Sequence, residues 1–137
     1  MRIAIVGTGG IGGYLGGRLC QIGEEVIMIA RGSNLNTIQH KGLKVDSING
    51  NFVALPKLVT DDPNQVGKVD LIILGVKAWQ VPEAVKSMDP MVGPDTVVIP
   101  FQNSVETPSQ LAAILGSKHI VIGLCMVRSF IVGPGHL

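Results

Sequence analysis

The run Gly7-Thr8-Gly9-Gly10-Ile11-Gly12 directly follows an apolar stretch, Arg2 to Val6, that reads as a buried strand, and it opens a segment with helical spacing through Cys20. Few short patterns restrict a fold more. In a strand-turn-helix setting Gly7 permits the tight turn, Gly9 lets backbone approach a ligand, and Gly12 lets the helix lie close against the strand. The first N–H groups of such a helix have no acceptor within it, and the aligned peptide dipoles favour negative charge there. The run from Gly7 to Gly12 therefore predicts a cradle for a pyrophosphate.

The rest of the chain alternates in a way that supports this setting. Glu25 to Ala30 is a second apolar run, and Arg31-Gly32-Ser33-Asn34 marks a turn with Ser33 as a possible helix cap. A short helix is expected over Leu35 to His40, and a hairpin over Leu43 to Leu55 around Asn49-Gly50-Asn51. Val69 to Val76 is almost continuously apolar, as a central parallel strand covered on both faces must be. A helix over Val81 to Met88, a strand over Thr96 to Pro100, a helix from about Val105 to Leu115 and a strand over His119 to Leu124 complete the order. Such alternation predicts an α/β fold of Rossmann type, a doubly wound and mostly parallel sheet whose ligands sit outside the carboxyl ends of the strands.

The residues at those strand ends are informative. An acidic residue after the second strand would hydrogen-bond the ribose 2′-hydroxyl of NAD, whereas this chain has Arg31, whose guanidinium can pair with a 2′-phosphate. NADP is therefore favoured over NAD, against the plain alternative of a solvated turn arginine. Lys77 ends the strand that closes with Gly75-Val76. It is either an ammonium at the cofactor's crossing point or simply the first residue back in water. Asn103, after Pro100-Phe101-Gln102, is either an amide that contacts ligand or the cap of the following helix. Trp79 reads as packing, and Asp61-Asp62-Pro63 as a turn and helix start.

Composition excludes several other classes. A net charge of +1, from 11 basic and 10 acidic residues spread along 137 positions, leaves no basic cluster to track nucleic acid. The uncharged stretch from residue 3 to 17 is Gly-rich and shorter than the ~20 residues that span a bilayer, so no membrane is expected and a cytoplasmic location is. Cys20 and Cys125 lack metal-ligand spacing and read as small buried hydrophobes, so no metal is expected. His40, His119 and His136 are scattered away from any nucleophile pattern and receive no catalytic role.

Taken together, G-x-G-x-x-G-G-Y at Gly7 to Tyr14, A-R-G at Ala30 to Gly32, V-K-A-W-Q at Val76 to Gln80 and Q-N-S-V-E at Gln102 to Glu106 resemble the N-terminal domain of the ketopantoate reductases, or 2-dehydropantoate 2-reductases. Gly123-Leu124-Cys125 and Gly133-Pro134-Gly135-His136 are similar too, so the resemblance spans essentially the whole chain. It implies that Gly7 to Gly12 carry the pyrophosphate of NADPH, Arg31 its 2′-phosphate, and Lys77 the nicotinamide side. By the same resemblance Asn103 touches both cofactor and substrate.

The implied reaction is reduction of a small 2-oxo acid, 2-dehydropantoate, to pantoate on the way to pantothenate and coenzyme A. Members of the family carry a helical C-terminal domain that supplies a lysine general acid and a substrate-positioning glutamate. Residues 1–137 are thus expected to be the cofactor domain alone, with no catalytic residue of its own and little or no turnover by itself. A stand-alone NADP-binding regulatory module and the cofactor domain of a reductase for another 2-oxo acid are the alternative expectations. A mean hydropathy of +0.41 agrees with apolar surface left for that missing domain, and with self-association through it. Ser104 stands where the family usually has glycine; if the position required a positive φ, serine would cost roughly 1 kcal/mol of strain.

Overall fold

The computed structural model describes all residues, 1–137. It is an α/β fold whose five-stranded sheet consists of β1 (Arg2–Val6), β2 (Glu25–Ile29), β5 (Leu58–Thr60), β6 (Val69–Leu74) and β7 (Val92–Pro100), in the order β5-β2-β1-β6-β7. Every pairing in that sheet is parallel. The chain winds outward from β1 to β2 and β5, then returns to lay β6 and β7 on the other side of β1. A topological switch therefore falls between β1 and β6, where crevices for ligands form.

Helices cover both faces, which explains why the strands are apolar at nearly every position. In β1, Ile3 and Ile5 face one core with Val26, Met28 and Ile38, whereas Ala4 and Val6 face another with Val85, Met88 and Leu111. The first layer is closed by α1 (Gly10–Gln21) and α2 (Gly32–Lys41), the second by α3 (Val81–Met88) and α4 (Thr107–Leu115). The buried side of α1 is built from Gly12, Gly13, Gly16 and Gly17. A Cβ on Gly16 would lie 2.8 Å from Ile5 and 2.9 Å from Met28, so the helix rests almost backbone-on-sheet.

The expected hairpin forms as a separate antiparallel pair, β3 (Leu43–Val45) and β4 (Phe52–Ala54), with Gly50 at φ +98° in its turn. Arg18 pins it to α1, its guanidinium 4.5 Å from the Phe52 ring centroid and bonded to the Tyr14 and Ser47 hydroxyls. Residues 135–137 run beside β3 through Lys44 N to Gly135 O (2.8 Å) and Leu137 N to Lys44 O (2.9 Å).

Several boundaries differ from expectation. The strand expected over His119 to Leu124 is absent: a 3-10 turn covers Ser117–His119, and a single bridge joins Ile120 to Val98. Buried His119 is held in that turn by its Nδ1 against Thr96 O (2.7 Å), and beyond Val121 no ladder is sustained, so Ile122 and Leu124 are exposed. Ser33 does not cap α2; the helix starts earlier, and Arg31 occupies the cap position with extended backbone. Strand β5 was not expected at all. Its three residues are too few to show periodicity, and only pairing with β2 defines them. Trp79 is not packing: it is 78% exposed on a 3-10 turn, since nothing obliges a lone aromatic to be buried. Cys20 and Cys125 are half-buried free thiols, and burial pushes the Cys20 thiol up to about 11, which keeps it unreactive.

Candidate functional site

Two adjoining cavities of about 500 and 520 Å³ open at the carboxyl ends of β1, β2, β6 and β7. Gly9, Gly75, Val76 and Lys77 border both, so they form two halves of one elongated cleft across the switch point.

The glycine loop forms its floor for steric reasons. Gly7 has φ +94°, and a Cβ there would meet Val76 N at 2.9 Å. A Cβ on Gly12 would sit 2.1 Å from Gly7 O, and one on Gly75 would sit 2.9 Å from Gly12 Cα, so the turns after β1 and β6 touch through backbone alone. Gly12 is consequently buried and borders neither cavity. Gly9 differs, because a Cβ there would meet nothing within 4 Å. As the N-cap of α1 it carries no capping side chain, and its carbonyl accepts the first bond of the helix, from Gly13 N (2.8 Å). Gly10 and Ile11 line the second cavity, and their N–H groups, which have no acceptor within the helix, are donors suited to an anion.

The first cavity gathers Gly7, Thr8 and Gly9 with Arg31, Ser33 and Asn34. Arg31 lies at the junction of β2 and α2, and its Nη1 and Nη2 both donate to Glu83 Oε1 at 3.2 Å. Thr8 is buried and its hydroxyl is engaged, accepting from Asn34 Nδ2 at 2.6 Å. The second cavity gathers Gly10 and Ile11 with Lys77, Gln102 and Asn103, and residues 127–131 form its opposite wall. Lys77 is exposed and forms no ion pair, and its backbone N donates to Gln80 Oε1 (3.0 Å). Asn103 is exposed at the cavity and does not cap α4, which begins at Thr107 with Glu106 before it. Ser104 brings no left-handed strain, because no residue other than glycine has a positive φ.

Two residues important to the cleft were not singled out in the sequence. Asn34 bonds Thr8 with its amide nitrogen and accepts Gly135 N at Oδ1 (2.7 Å), tying the glycine loop to the far end of the chain. Gln102 donates from Nε2 to Leu74 O (2.9 Å) and Val76 O (2.8 Å), which locks the end of β7 onto the end of β6. Its Oε1 is buried without a donor. Gln102 opens the Q-N-S-V-E run, but its partners, like those of Asn34, lie far away in the chain, and only the fold brings them near.

The profile of the ketopantoate reductase PanE/ApbA family matches residues 3–137. The chain belongs to the ketopantoate reductase family. Among its relatives, an uncharacterized oxidoreductase of Bacillus subtilis (strain 168) is 30% identical over all 137 residues, which cover 45% of that protein. The crystal structure of 2-dehydropantoate 2-reductase from Porphyromonas gingivalis W83 superposes with a TM-score of 0.94 at 31% identity, over 99% of this chain and 50% of that one. A D-mandelate dehydrogenase solved with NADH and anilino(oxo)acetate superposes at 0.89 with 28% identity, over 99% of this chain and 44% of that one. The chain thus spans about half the length of the relatives it matches. The same domain occurs in proteins with different 2-oxo or 2-hydroxy acid names, so the family sets an oxidoreductase class without fixing one substrate.

No helix is long and apolar enough to cross a membrane, and no group of three or more His, Cys, Asp or Glu side chains is placed to hold a metal ion.

Proposed function

We propose that residues 1–137 are the NADPH-binding domain of a 2-dehydropantoate 2-reductase, and that a helical domain contributed elsewhere carries the substrate-protonating lysine. The carrying observation is the meeting, at one cleft, of a glycine loop open at Gly9 with the cationic side chains of Arg31 and Lys77. The residues present fit a dinucleotide. Uncapped N–H groups at the start of α1 suit its pyrophosphate, and Gly9 leaves open space beside them.

In this reading Gly7, Thr8, Gly9, Gly10 and Ile11 hold the pyrophosphate, with Gly12 supporting them from beneath. Arg31 takes the 2′-phosphate, and Lys77 and Asn103 orient the nicotinamide end, Asn103 also touching the 2-oxo acid. When bound, the cofactor supplies hydride to the ketone. Asn103 can donate to a carbonyl oxygen and Lys77 can offset negative charge near it, while protonation of the resulting alkoxide is assigned to the lysine of the helical domain. The similarity to a D-mandelate dehydrogenase favours, as a second reading, a reductase for another 2-oxo acid.

Titration of NADPH and NADH by cofactor fluorescence tests the proposal. NADPH should bind more tightly, and Arg31→Ala should remove most of that preference, by about tenfold to a hundredfold for a lost charge-assisted contact. Equal affinities for the two cofactors in the wild type would overturn the role of Arg31.

A further inference from the structure

We propose that Glu83 is a specificity-determining residue that weakens discrimination between NADPH and NADH by competing with a 2′-phosphate for Arg31. The inference rests on the NADPH-binding reading of the cleft. Three charged residues line the first cavity, Arg31, Lys77 and Glu83, so Glu83 is its single carboxylate. It stands in the first turn of α3, beside Pro82, and faces Arg31 across the cavity mouth. Both terminal nitrogens of Arg31 converge on its Oε1 at 3.2 Å, while Oε2 has no partner.

This geometry affects the two cofactors differently. A 2′-phosphate must take Arg31 donors that Glu83 holds, and it then lies close to a like charge. A 2′-hydroxyl needs no guanidinium, and a nearby carboxylate is the acceptor that suits it. The pair is displaceable: the Arg31 and Glu83 side chains are 68% and 72% exposed, and ion pairs in such water are weak and salt-screened. Glu83 is thus placed to lower the preference that Arg31 creates without abolishing it.

The test is titration of NADPH and NADH, at low ionic strength, against the wild type, Glu83→Gln, Arg31→Ala and the double variant. Glu83→Gln should tighten NADPH about threefold to fivefold and leave NADH unchanged or weaker. In the Arg31→Ala background the gain for NADPH should shrink, because the two residues couple. An unchanged NADPH-to-NADH ratio in Glu83→Gln would overturn the proposal. So would weaker NADPH binding, which would make Glu83 a support that orients Arg31. If the wild type shows no preference and Arg31→Ala changes nothing, the 2′-phosphate reading fails as well, and that pattern is distinct from a failure of Glu83 alone.

Discussion

Gly12→Ala and Gly9→Ala should separate the two jobs of one glycine loop. The added Cβ at Gly12 falls 2.1 Å from Gly7 O, well inside the 3.0 Å below which Cβ atoms are essentially never found. The obstructing atom is backbone in the positive-φ turn at Gly7, and Gly75 packs against the same two residues, since a Cβ on it would lie 2.9 Å from Gly12 Cα and 3.0 Å from Gly7 O. Neither partner can rotate away, so α1 must lift from β1. Forcing an extra carbon into a packed site costs about 1–3 kcal/mol, offset by up to about 1 kcal/mol from alanine's better helix propensity. Because the clash is severe, a net loss of about 2 kcal/mol is expected. With a urea m-value of about 1–2 kcal/mol/M, the unfolding midpoint should fall by about 1–2 M.

Gly9→Ala meets open space, so its cost should stay near the few tenths to about 1 kcal/mol of replacing a glycine N-cap by alanine. Its methyl nevertheless projects where the pyrophosphate is proposed to lie, and NADPH binding should drop at least tenfold. Urea unfolding followed by circular dichroism, with cofactor fluorescence on the same samples, measures both. A wild-type midpoint for Gly12→Ala would refute the close-packing argument. Unaltered NADPH affinity in folded Gly9→Ala would refute the placement of the pyrophosphate.

Two further outcomes follow from other contacts. Asn34→Ala breaks the links to Thr8 and to Gly135 N together, and should cost about 1–3 kcal/mol in urea unfolding, with faster hydrogen exchange at Gly135 as the local signature. The His136 ring and then Lys44 hold the Asp46 carboxyl below its usual range. Its contribution to stability is therefore present above the ordinary carboxylate pKa and is lost as pH falls through the depressed folded value. Between pH 6 and pH 3 the wild type should lose more stability than Asp46→Asn, as read from urea midpoints at each pH.

Much of the fold was legible because its signals are local. The apolar run at Val69 to Leu74, the glycines after β1 and the Asn49-Gly50-Asn51 turn each state their conformation within a few residues. Elements failed where conformation depends on a neighbour. Leu58–Thr60 becomes a strand because β2 offers an edge, whereas the equally apolar residues after Val121 find no sustained ladder and stay exposed. Likewise Arg31, Lys77 and Asn103 could be named as strand-end residues, but Thr8, Asn34 and Gln102 take their roles from partners far away in the chain.

The sequence by itself determined the β-α-β setting of Gly7 to Gly12, the cation after the second strand and the family pattern along the chain. The first follows from backbone sterics and hydrophobic spacing, which act over short distances, and the other two are written in the order of the residues itself. Only the tertiary structure decided that Gly12 supports the loop while Gly9 faces the cleft, that Gln102 locks β7 to β6, and that Glu83 of α3 holds Arg31 after β2. The physical reason is that steric fit, hydrogen-bond satisfaction and charge pairing depend on distances in space, which a linear order of residues does not contain.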